Sequence, residues 1–151
     1  MSVTPFTRRQ EYDLGAPRGI TLLASREGIS SREVDMRIER FSFGVIRIDG
    51  TTHEHDVVID RGKVGKRKKK ASKKFRDAFG HTPLSLAEKI PWKCRRLLVG
   101  TGVYGRLPVM EEVKREAEHR NVDLVILPTA GAIETLKQDA GTTNAILHVT
   151  C

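Results

Sequence analysis

Arg96-Leu-Leu-Val-Gly-Thr-Gly-Val-Tyr-Gly-Arg-Leu-Pro108 is the stretch on which the fold turns. Leu97, Leu98 and Val99 form a short apolar run of the kind that makes a strand buried on both faces. The glycines behind them end that strand. Pro108 suits the first position of a helix, where no amide donor is needed. Val109, Val113 and Ala117, with Met110, then place one apolar face on a helix running to His119-Arg120. Glu111 and Glu112 in its first turn, and Lys114, Arg115 and Arg120 further on, complement the helix dipole. Downstream, Val122–Leu127 reads as a second strand, with Val125 and Ile126 expected to be buried beside Leu98 and Val99, and Ala130–Asp139 as a second helix with Thr129 as its N-cap. Ala145–Val149 closes the series as a strand. Strands alternating with helices predict an at least partly parallel sheet with helices packed on it.

Upstream, Phe41, Phe43 and Val45 alternate with Ser42, Gly44 and Ile46, a strand pattern. Asp49-Gly50 tolerates positive φ, as a tight hairpin turn requires, so Val57-Val58-Ile59 is expected as the returning strand. Leu84–Ile90, between Pro83 and Pro91, predicts a short helix. Residues 1–37 mix Pro, Gly, Ser and Arg around one short apolar stretch, Ile20–Ala24, and are expected to be an N-terminal extension. Residues 38–151 are expected to form a single compact three-layer α/β domain. Its central mixed sheet would carry flanking helices and an N-terminal β-hairpin.

The net charge of +8 over 151 residues is concentrated in one segment. Residues 61–76 hold 10 of the 27 basic side chains and none of the 19 acidic ones, so the remaining 17 cations are outnumbered. This basic loop is the chain's most distinctive feature. No apolar run approaches the roughly 18 residues a membrane span needs, so no membrane association is expected. No apolar core follows Arg8 and Arg9, which argues against a secretory leader. Cys94 and Cys151 form no CxxC, and two free thiols in a reducing cytoplasm are expected.

Gly100-Thr-Gly-Val-Tyr-Gly105 is a literal GxGxxG after a strand, yet it departs from the dinucleotide-binding pattern. Leu107-Pro108 separates the third glycine from the helix, and the second strand ends in Leu127-Pro-Thr129 without the acid that would meet a ribose. A glycine turn bringing strand and helix together is the expected role. Open α/β sheets nonetheless bind ligands at the carboxyl ends of their strands. Gly100, Thr101, Gly102, Tyr104, Gly105, Arg106 and Thr129 are therefore candidate ligand- or anion-binding residues. His53 and His55, two apart, could join His81, His148 or Cys151 around a metal. Nothing in the spacing selects that set, so no metal, no cofactor and no catalytic residue is assigned. Lys66, Arg67, Lys68, Lys69, Lys70, Lys73 and Lys74 could meet phosphates. With only Phe75 and Phe79 nearby for stacking, weak non-specific nucleic-acid contact is what they predict.

Six phrases occur in a telling order: Phe41-Ser-Phe-Gly44, Ile48-Asp-Gly50, His55-Asp-Val-Val58, the glycine loop, Leu127-Pro-Thr129 and Leu147-His-Val-Thr-Cys151. Together they resemble the domain family of the adipogenesis-associated domain protein and the mitochondrial complex I assembly factor three, over residues 38–151. The resemblance implies a compact three-layer α/β fold with the glycine loop and the Leu127-Pro-Thr129 turn lining one crevice. It also implies an interaction or assembly role rather than a settled enzymatic activity. The expectation is a non-catalytic factor with an unknown protein partner. A ligand or anion binder, or an enzyme, at Gly100–Gly105 is the first alternative, and a nucleic-acid-associated protein is the second.

Overall fold

Leu97 and Val99 point to one side of the main sheet and Leu98 to the other, and this alternation sets the layers. The computed structural model describes residues 35–151 and, before them, the backbone of Tyr12–Asp13 and Ile20–Thr21. Most of the expected N-terminal extension lies outside the described residues. The strands in chain order are β1 (Tyr12–Asp13), β2 (Ile20–Thr21), β3 (Asp35–Met36), β4 (Ile38–Ser42), β5 (Val45–Ile48) and β6 (Thr51–His53). They continue with β7 (Val57–Asp60), β8 (Lys63–Lys66), β9 (Arg96–Gly100), β10 (Asp123–Leu127) and β11 (Thr143–Leu147). A 3-10 stretch, Lys70–Phe75, leads into α1 (Arg76–Phe79), while α2 (Glu111–His119) and α3 (Thr129–Gln138) flank β10 in sequence.

The main sheet is five-stranded and mixed, in the order β10-β9-β11-β7-β8. β9 pairs in parallel with β10 (Leu98 opposite Val125) and with β11 (Leu98 opposite Ala145). β7 is antiparallel to both β11 and β8. On one face Leu97, Val99 and Ile146 pack against Val113 and Ala117 of α2. On the other face Leu98, Ala145 and Leu147 pack with Ile133 and Leu136 of α3 and with Phe41, Ile46 and Ile48 of the smaller sheet. That smaller antiparallel sheet has the order β1-β4-β5-β6. The α/β class and the mixed central sheet are as expected from the sequence.

Several expectations are corrected. The run from Phe41 to Ile46 is two strands, β4 and β5, folded back at Phe43-Gly44, where Gly44 has φ +85°. Asp49-Gly50, both at positive φ, does make a tight turn, but it joins β5 to β6. Val57-Val58-Ile59 instead enters the main sheet, because its alternate apolar residues Val57 and Ile59 find their buried partners there. Leu84–Ile90 is not a helix, since the Leu84 amide and carbonyl bond Pro108 and Met110 in a bridge beside Val109. β10 is an edge strand, so Val125 is only partly buried and Ile126 is exposed. α2 begins after Met110, not at Pro108, and Thr129 starts α3 without capping it because its hydroxyl is used elsewhere. The basic segment is a strand, a 3-10 stretch and α1, not an open loop.

Candidate functional site at the carboxyl edge of the sheet

β9 lies between β10 and β11, and the connections through α2 and α3 cover opposite faces. The carboxyl end of β9 is therefore a topological switch point, the place where open α/β sheets commonly bind ligands. Here residues 148–151 of the same chain fill much of that place. His148 donates its amide to the Gly100 carbonyl, and Val103 donates to Thr150. Tyr104 and Arg106 both donate to the Cys151 carbonyl. Thr101 donates to Leu127, Gly102 to Thr129 Oγ1, Gly105 to Gly102 and Leu107 to Thr101. Every amide from Thr101 to Leu107 thus has an intramolecular acceptor.

Gly102 shows why a glycine is needed. It sits at φ +107°, and a Cβ there would lie 2.3 Å from the Cys151 carbonyl carbon. Close approach of the chain's own backbone is the physical cause. Thr129 is fully buried and links the two loops, accepting from Gly102 and donating to the His148 carbonyl at 2.7 Å. Of the residues named from the sequence, Gly100, Gly102 and Thr129 are brought together in this interior crevice. Tyr104 and Arg106 instead face outward, with the guanidinium 6.0 Å from the Tyr104 ring.

Beneath the crevice lies a buried polar cluster. Arg67, only 3% exposed, donates to Glu88 through Nε (2.8 Å) and Nη2 (2.7 Å), and to Asp56 through Nη1 (2.9 Å). Its Nη2 also reaches the Pro83 carbonyl. Ser72 Oγ donates to Glu88 at 2.6 Å and pairs with Ser85. Arg67 is thus a structural tie rather than part of the exposed basic strip. An arginine amid lysines was the available signal, because only the planar guanidinium grips a carboxylate bidentately.

Asp56 accepts from Arg67, from the Val149 amide at 3.1 Å and from His148 Nδ1 at 2.9 Å. Burial pushes its carboxyl up, but the His148 hydrogen bond and charge, the Val149 amide and Arg67 outweigh it and hold the pKa at about 2. The register explains the meeting of Asp56 and His148. Leu147 lies opposite Val57 across β11 and β7, so the next residues outward face each other. His148 Nε2 is 3.1 Å from Thr150 Oγ1 and 3.8 Å from Cys151 Sγ, and His81 Nδ1 is 3.5 Å from that sulfur. His53 and His55 make an edge contact at 5.6 Å. Among the described residues no group of three His, Cys, Asp or Glu side chains could hold a metal ion.

The exposed cations converge. Lys66, Lys68, Lys69, Lys70 and Lys73 line a cavity of about 510 Å³ with His55, Val149 and Thr150. Lys66 and Lys68 also border a second concavity of about 790 Å³ toward Asp60, Lys89 and Pro91. Lys74 lies over the Phe75 ring at 5.4 Å. Among the described residues no helix is long and apolar enough to cross a membrane.

These features define an α/β domain with a mixed sheet, a self-filled switch-point crevice and a lysine-lined flank. The chain belongs to the family described as protein of unknown function (DUF498/DUF598), whose model matches residues 38–147. A conserved hypothetical protein from Pyrococcus horikoshii OT3 is 32% identical, with a TM-score of 0.62, over 76% of this chain and 99% of that one. A protein solved as MT938 is 22% identical, with a TM-score of 0.56, over 77% and 99% of the two chains. An outer membrane protein from Bartonella henselae shares the fold at 15% identity and a TM-score of 0.53, over 76% and 94%. No curated protein matches the chain at a significant level.

Proposed function

We propose that this chain is a non-catalytic interaction or assembly domain that engages a protein partner through Phe43, Tyr104 and Arg106. One observation carries this reading. The Phe43 and Tyr104 rings come from different elements and lie 6.4 Å apart, yet they remain 55% and 60% exposed. Large rings left in water contribute little to folding, whereas Tyr, Phe and Arg are enriched at interfaces, with Tyr and Arg prominent among hot spots. The backbone beneath them is fixed. Tyr104 and Arg106 hang from the Cys151 carbonyl, and Gly44, next to Phe43, donates to the Val149 carbonyl. A preorganised patch loses little conformational entropy on binding. The partner this suits has an apolar pocket with an acidic rim facing Arg106. The proposal places the domain in a reducing compartment, the cytoplasm, where neither cysteine is held in a structural disulfide.

The test is affinity capture from the source cell with three baits. These are the wild type, a Phe43→Ser/Tyr104→Ser variant and a Lys68→Gln/Lys69→Gln/Lys70→Gln variant. The reading predicts one stoichiometric protein retained by the wild type and the lysine variant and lost by the aromatic variant. Equal retention by the aromatic variant contradicts it.

A second reading, non-specific nucleic-acid association, is favoured by the five lysines that line one cavity. A ligand or anion at Gly100–Gly105 would have the exposed Tyr104 and Arg106 side chains to meet, since the loop's amides are already bonded.

A further inference from the structure

Cys151 stands at the same switch point but belongs to a different arrangement from the aromatic patch. Its sulfur sits between two imidazoles, 3.5 Å from His81 Nδ1 and 3.8 Å from His148 Nε2. Behind His148 is Asp56, buried and within 2.9 Å of Nδ1. An ionised carboxylate can only accept, so Nδ1 carries the proton of that bond. In the neutral ring this leaves the Nε2 lone pair directed toward Thr150 and Cys151. Carboxylate, imidazole and thiol in that order are the parts of an activated nucleophile. Cys151 is a free cysteine and is half-buried, not sealed in the core.

We infer that Cys151 is a reactive thiol that accepts a mixed disulfide from a low-molecular-weight, carboxylate-bearing disulfide. His148 and His81 are the acceptors of its proton, and Asp56 is a positioning residue that fixes the His148 tautomer. In the step, the thiol proton passes to an imidazole and the sulfur lone pair attacks one sulfur of the incoming disulfide. The old S–S bond breaks as the new Cys151 bond forms, and the departing thiolate takes the proton back from the imidazolium. Cys151 is oxidised and one half of the reagent is reduced to a thiol. The preference for carboxylates comes from the cavity beside it, where Lys66, Lys68 and Lys73 share the wall with Thr150. Charged groups facing the dyad and the cavity include Asp56, which pairs with His148 and Arg67, Glu88 on the far side of Arg67, and Glu54, which shares the cavity wall with the lysines that outnumber it. This inference stands apart from the Phe43–Tyr104 reading and survives its failure.

Cys94 is the internal control. Burial pushes its thiol up to about 11, and it has no imidazole partner among its hydrogen bonds. The reduced full chain is incubated with glutathione disulfide, and site-resolved mass spectrometry gives a rate at each cysteine. Cys151 is expected to react at least about tenfold faster than Cys94, whose buried thiol has no imidazole to take its proton. At pH 7, His148→Gln and His81→Gln should each slow Cys151 by about threefold or more. Above pH ~9, where an unassisted thiol ionises, the variants should approach the wild type. A merely structural role would not produce that recovery. His81 is half-buried in a turn, so His81→Gln keeps the test open if His148→Gln does not fold. At low salt, neutral bis(2-hydroxyethyl) disulfide should react more slowly than glutathione disulfide relative to their rates with a free thiol. Equal relative rates overturn the carboxylate preference. A Cys151 no faster than Cys94, or unchanged by both histidine variants at pH 7, overturns the inference itself.

Discussion

At Asp56, burial and hydrogen bonding oppose each other, and hydrogen bonding wins. A carboxylate whose folded pKa lies below its unfolded value contributes stability above the unfolded value and loses it as pH falls through the folded one. With 3.8 unfolded and about 2 folded, Asp56 contributes about 2 kcal/mol at neutral pH. That contribution should disappear between about pH 4 and about pH 2, which urea unfolding across this range would measure. An Asp56→Asn variant should show a correspondingly flatter acid limb. Its partner Arg67 is worth more as a tie. Arg67→Ala leaves Glu88 and Asp56 buried without their cation, and such a loss costs about 3–5 kcal/mol. Lys68→Ala next to it is exposed and should change stability by less than about 0.5 kcal/mol. Equal effects at the two positions, read by the same unfolding curves, would contradict the buried tie. Gly102→Ala should be strongly destabilising, because the added Cβ meets backbone rather than a movable side chain.

At the scale of elements, β9 and β10 have similar sequences but different surroundings. Leu98 is fully buried between α3 and the smaller sheet, so Leu98→Ala should cost about 2–5 kcal/mol. Ile126 lies on the exposed edge, and Ile126→Thr should cost less than about 1 kcal/mol by the same unfolding measurement. The run Leu97–Val99 made β9 legible, and the charge gradient and apolar spacing made α2 legible. Strand order was not legible, because Val122–Leu127 is as apolar as a central strand and nothing local marks it as an edge. The fate of Val57–Ile59 was hidden for a similar reason: alternation sets which face is buried, not which sheet supplies the partner. The crevice was legible through its glycines. What fills it was not, since Gly102 meets Cys151 across 49 positions of chain and no spacing encodes that contact. Arg67 was counted among the cations it adjoins, because burial is a property of the fold and not of the run.

For the molecule as a whole, charge and apolar exposure are separated. The lysines gather around one cavity, while Phe43, Tyr104 and Arg106 sit over the glycine loop. If the lysine flank holds duplex DNA, each lost cation–phosphate contact should reduce the log–log salt slope by about 0.9. Lys68→Gln/Lys69→Gln/Lys70→Gln should then lower it by about 3, as a fluorescence-anisotropy titration at several salt concentrations would record. The melting temperature should hardly move, since exposed charges contribute little to folding. The aromatic patch makes the stronger claim, and calorimetric titration of the purified partner into wild type and Tyr104→Ala tests it most directly. Tyr104 is exposed, so the variant should keep its fold and melting temperature. The account predicts binding weakened by at least about thirtyfold, the loss of about 2 kcal/mol that marks a hot spot. An unchanged Kd for Tyr104→Ala, and likewise for Phe43→Ser, would contradict it.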